Sequence, residues 1–140
     1  MLAKKITYKN YNDEDITETF YFNLNESELL EMEYSEAGGY REQLQKIIDT
    51  KDSKEIMATF KRIILMAYGE KTADGKFLDK GENQDLAKRF THTEAYNKLV
   101  LELMSDEKAL SNFFTAIIPT SIREKAEAEG LLKDHLPAKQ

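Results

Sequence analysis

Phe20-Tyr21-Phe22-Asn23-Leu24-Asn25-Glu26-Ser27-Glu28-Leu29-Leu30 is the stretch on which the fold turns, because the hydrophobic period changes inside it. Up to Phe22 apolar and polar residues alternate, as on a half-buried strand; from Asn25 the spacing is helical. Asn25 and Glu28 stand at the spacing of a capping box, and Leu24 and Leu29 occupy the two positions of a hydrophobic staple. The strand-to-helix junction is therefore specified locally. Toward the N-terminus, Leu2, Ile6 and Tyr8 alternate with Ala3, Lys5, Thr7 and Lys9. After Asn10-Tyr11-Asn12-Asp13-Glu14, Ile16, Glu18, Phe20 and Phe22 alternate with Thr17, Thr19 and Tyr21. This predicts an antiparallel β-hairpin over 2–22. Two strands alone are marginal in water, so the Ile6, Tyr8, Phe20, Phe22 face needs cover from helices of this chain or from another molecule. The open edge of the hairpin can accept a partner strand.

Toward the C-terminus the period is that of helices. Leu29, Leu30 and Met32 predict a short helix ending before Gly38-Gly39; Tyr40, Leu44, Ile47 and Ile48 predict a second. Ile56, Phe60, Ile63, Ile64 and Ala67 predict a third, opened by Asp52 with Glu55 and closed by Gly69. Residues 70–82, with Asp74-Gly75 and Gly81, read as an ordered loop with room for a small turn of strand, pinned by Phe77-Leu78. Thr91 with Glu94 opens a helix carrying Tyr96, Leu99, Val100 and Leu103. Ser105, Asp106 and Glu107 open the next, with Leu110, Phe113, Phe114, Ile117 and Ile118, stopped by Pro119. The fold class is α+β, an N-terminal hairpin followed by a bundle of about five to six helices. One domain is expected over 1–120, with its helical part at 25–119 and a charged helical or frayed tail at 121–140.

The chain has 140 residues, 26 acidic and 20 basic, for a net charge of −6. Nine of the acids and none of the bases fall between Asn10 and Tyr40. That segment works against a nucleic-acid-binding face, which needs clustered bases to release counterions from phosphate. The absence of cysteine removes disulfides, thiolate chemistry and cysteine metal sites. Met1–Thr7 passes straight into alternating text without an apolar signal core, and no stretch has the length of a membrane span.

Side chains capable of chemistry are present but poorly arranged for it. Glu28 with Glu31, or Glu33 with Glu36, would share a helix face, yet such pairs are common on any highly charged, solvated helix. His92 and His135 lack metal-ligand spacing, the serines at 27, 35, 105, 111 and 121 lack a nucleophile elbow, and Gly38-Gly39 follows no strand. Asp74-Gly75-Lys76 lacks the alternating oxygen ligands of a calcium loop and reads as a turn. Phe113-Phe114 with Ile117-Ile118 could be a partner-binding stripe, but adjacent apolar pairs four residues apart give the broad stripe of a buried bundle helix, which favours core packing. No catalytic residue, metal or cofactor is expected.

Several segments in order resemble the tail assembly chaperones of tailed phages and prophages, particularly those of Gram-positive bacteria. They are Lys5-Ile6-Thr7-Tyr8 with Thr17–Leu24, Glu28–Glu33 with Gly38-Gly39, Tyr68-Gly69-Glu70-Lys71 with Asp74-Gly75-Lys76, and Phe90–Tyr96 running to Ile117-Ile118-Pro119. The resemblance covers most of 4–119. It implies a non-enzymatic protein of the host cytoplasm that binds and solubilises the tape measure protein, helps recruit major tail tube subunits, and is absent from the mature virion. It also implies a possible homo-oligomer and no nucleic-acid or membrane partner. The expected docking residues are Ile6, Tyr8, Phe20 and Phe22 on the hairpin, Glu28 and Glu31 on the first helix, and Phe113 and Phe114. The alternatives are a virion structural or decoration protein and a small binding module acting on a host protein.

Overall fold

The structure, a computed structural model, describes residues 1–35, 38–49, 52–80 and 85–119. Glu36, Gly81, His135 and the segment 121–140 lie outside them, as does the side chain of Ile48. Within them the elements run β1 (Leu2–Lys9), β2 (Asp15–Phe22), α1 (Glu26–Glu33), α2 (Tyr40–Asp49), α3 (Ser53–Ala67), β3 (Tyr68–Lys71), β4 (Leu78–Asp79), α4 (Asp85–Phe90), α5 (Glu94–Ser105) and α6 (Glu107–Ala116). The architecture is α+β, as the change of period predicts.

β1 and β2 pair antiparallel from Leu2↔Phe22 to Lys9↔Asp15 without a break. The even-numbered residues therefore share one face, and Ile6, Phe20 and Phe22 on it are buried. At the junction Asn25 and Glu28 make the full capping box: the Asn25 side chain accepts from Glu28 N and the Glu28 carboxylate from Asn25 N. Leu24 is fully buried and Leu29 half-buried, as staple positions require.

The structure departs from the sequence reading downstream of α3. Gly69 does not terminate that helix in a left-handed cap. The chain leaves α3 in extended conformation at Tyr68 and forms β3, which pairs with β2 through Tyr21↔Gly69 and Phe22↔Tyr68. Gly69 is there for room: a Cβ would sit 2.6 Å from Leu78 Cγ. β3 pairs in turn with β4 across the Asp74-Gly75 turn, where Gly75 has φ +74°, giving a sheet of order β1-β2-β3-β4. So the hairpin is half of a sheet, and Tyr68–Asp79 form a second hairpin; Leu78 packs against Gly69, while Phe77 is exposed. The α5 cap is Thr93, whose side chain accepts from Tyr96 N. Thr91 instead closes α4, donating to Lys88 O.

The core is aromatic. Phe90 of α4 stacks on Tyr68 at 4.3 Å and meets Phe20, Phe22 and Tyr96 at 5.2, 5.7 and 5.6 Å. Phe113 of α6 packs edge-on against Phe22 at 5.2 Å. Helix α5 lies against β1 and α6, and α2 lies on α3. One cluster of buried side chains links every helix to the inner face of the sheet.

Candidate functional site

The expected docking residues separate into two sets. Ile6, Phe20, Phe22, Phe113 and Phe114 are core residues, all below a tenth exposed. The hairpin face that needed cover receives it from α4, α5 and α6 of the same chain, so these five side chains face inward. Phe114 contributes its backbone as well, its carbonyl accepting from the buried Tyr40 hydroxyl at 2.6 Å. Tyr8 is half-buried near Phe20, and its hydroxyl donates to Glu18. That hydrogen bond is the main cause of a phenol pushed up to about 12.

Glu28 is engaged too. Besides completing the capping box, it binds Lys80 Nζ through both oxygens, at 2.6 and 2.8 Å. Lys80 also donates to Asn23 O, so one ammonium ties the chain after β4 to the junction between β2 and α1. Burial lowers the Lys80 pKa, and the Glu28 carboxylate opposes that shift. Sequence spacing gave no sign of this clamp, because its partners are far apart in the chain.

What α1 offers outward is different. The helix buries Met32 and half-buries Leu29, while Leu30 and Tyr34, one turn apart, are 57% and 85% exposed. Glu31 and Glu33 are exposed beside them. The signal was in the sequence: Leu30 is offset from the Leu29–Met32 stripe, so one apolar set had to face out. An apolar pair flanked by carboxylates suits contact with a protein segment, and Glu31 is the expected docking residue that stays available on it.

A second surface lies at the outer edge of the sheet. Lys5, Ile6 and Thr7 of β1 and Lys98, Leu99, Leu101, Glu102 and Ser105 of α5 line a cleft of about 490 Å³. Lys4 bridges it to Glu102 at 2.6 Å, and Leu101 is 69% exposed on the far wall.

Among the described residues no group of three or more His, Cys, Asp or Glu could hold a metal ion, and no helix is long and apolar enough to cross a membrane. His92 sits in the turn between α4 and α5, its carbonyl accepting from Tyr11 at 3.1 Å. Asp74 serves its turn, accepting from Lys76 N and Thr72 Oγ1. The Lys76 amide in particular holds its carboxyl below the usual range.

Compared with known proteins, residues 1–140 match a family model described as phage tail assembly chaperone. The match includes the segment after Pro119, which the sequence resemblance did not reach. No curated protein and no solved structure matches the chain. The chain belongs to the phage tail assembly chaperone family, and with that membership come a role in tail assembly and protein partners in that process.

Proposed function

We propose that this member of the phage tail assembly chaperone family is a non-enzymatic protein that binds the tape measure protein, keeps it soluble, and helps bring major tail tube subunits to it. It works in the cytoplasm of the infected or lysogenic bacterium and leaves before the virion is complete. The observation that carries this reading is the family match along the whole chain. The side-chain chemistry agrees with it: Glu28 is taken up by the Asn25 cap and Lys80, and Asp74 by its own turn.

The client is met on the outer face of α1. Leu30 and Tyr34 supply apolar contact, and Glu31 and Glu33 give the loaded complex a like-charged surface that opposes aggregation. Co-expression with the tape measure gene tests it. The client is expected in the soluble fraction with this protein and in the pellet without it, and Leu30→Ser with Tyr34→Ser is expected to return it to the pellet. A client equally soluble in both cases refutes the reading. Mass spectrometry of purified particles is expected to find no copy of the chain; an abundant copy makes it a virion structural protein.

A further inference from the structure

We propose that the outer edge of β1 and the α5 wall beside it form a strand-addition site for an extended, acidic segment of a partner protein. This site is separate from the α1 face and does not depend on which client that face takes. β1 is the terminal strand of the sheet, and among the described residues only β2 pairs with it. Asn10 N donates to Glu14 O, and the register runs on unbroken from there. In an antiparallel ladder the bonded and non-bonded pairs alternate, so even-numbered residues bond to β2. Ala3, Lys5, Thr7 and Lys9 then turn their N–H and C=O groups to the open edge.

A fifth strand on that edge would extend the sheet over the exposed flank of α5. Its inward side chains would cover Leu101 and fill the cleft beside Leu99 and Ser105. Its outward side chains would lie next to Lys5 and Thr7. Charge selects the occupant. Lys4 is paired with Glu102 and Lys9 with Asp15, but Lys5 and Lys98 make no ion pair among the described residues. A locally cationic cleft on a chain of net charge −6 favours a strand alternating apolar and carboxylate side chains. It disfavours a second copy, because pairing β1 with itself brings two strands of three lysines and no acid together.

The test measures fluorescence anisotropy of a short capped peptide alternating glutamate and valine, added to the full chain, against the same peptide with lysine for glutamate. Binding of the acidic peptide alone is expected. Thr7→Pro, which removes an outward N–H and gives up the Thr7–Thr17 hydroxyl contact but leaves the β1–β2 backbone bonds intact, is expected to abolish it. Leu101→Ser is expected to weaken it about tenfold through lost apolar contact. Lys5→Glu with Lys98→Glu is expected to exchange the preference to the lysine peptide. Far-UV circular dichroism checks each fold; should Thr7→Pro not fold, a peptide with proline at its centre replaces that arm and is expected not to bind. Acidic and basic peptides binding alike, or acidic binding indifferent to Leu101→Ser and to the proline, overturns the proposal. So does a dimer in sedimentation that Thr7→Pro dissolves.

Discussion

Replacing Lys80 with methionine tests the tie that holds α1, and with it the proposed client face, to the body. The Lys80 and Glu28 side chains are 17% and 25% exposed, so their pair lies between two regimes. Exposed ion pairs contribute about 0.2–1 kcal/mol, whereas removing one partner of a fully buried pair costs about 3–5 kcal/mol. Lys80→Met also strips Asn23 O of its donor and leaves Glu28 uncompensated. Losing a hydrogen bond to a charged group costs about 1.5–3 kcal/mol. We therefore expect a loss of about 2 kcal/mol in urea unfolding, against a total on the order of 7–20 kcal/mol for a chain of 140 residues. Glu28→Gln keeps an oxygen to accept from Asn25 N while removing the charge, so a double-mutant cycle isolates the ion pair. A coupling of about 1 kcal/mol is expected, with little change between low and moderate salt because the pair is largely shielded. A coupling below about 0.3 kcal/mol would show that the two side chains are solvated independently and that α1 is held by Met32 and Leu29 alone.

Phe90→Ala removes the ring on which Phe20, Phe22, Tyr68 and Tyr96 converge, and is expected to cost about 4 kcal/mol in denaturant unfolding. A loss under 2 kcal/mol would mean that the short α4 is loosely seated. Burial pushes the Tyr40 phenol well above its usual value near 10, and burial with the Glu70 hydrogen bond raises Tyr68. The native state thus keeps protons that the unfolded chain releases above pH 10. Stability is retained below that pH and falls above it, by up to about 1.4 kcal/mol per pH unit for each tyrosine. Lys80, whose pKa is lowered, acts in the opposite direction just below its own usual value, so the comparison to make is with Tyr40→Phe, which should flatten the decline. Gly75→Ala is expected to destabilise by about 1 kcal/mol in thermal melts, since φ +74° strains any L side chain although space is open there.

Much of the fold was legible because its signals are local. The capping box at Asn25 and Glu28, the alternation in Leu2–Lys9 and Asp15–Phe22, and the stripes of α3, α5 and α6 each lie within a few residues. The misreadings share a cause. Gly69 has the look of a helix cap from its neighbours, but its role is set by Leu78 and Tyr21, which reach it only through the sheet. Helix α4 has six residues, too few to show a period, and forms around Phe90 because four rings from elsewhere in the chain surround it. The docking residues divided the same way. Their apolar character was plain, but whether Phe20, Phe22, Phe113 and Phe114 face a partner or one another is a matter of which faces the helices cover.

By itself the sequence determined the α+β class, the hairpin, and the acidic character of Asn10–Tyr40, because period and charge are written residue by residue. Only the tertiary structure decided that the hairpin's apolar face is the core, that Glu28 belongs to Lys80, and that Leu30, Tyr34, Leu101 and the β1 edge remain outside. Burial and pairing depend on distances between segments far apart in the chain, and those distances exist only once it has folded.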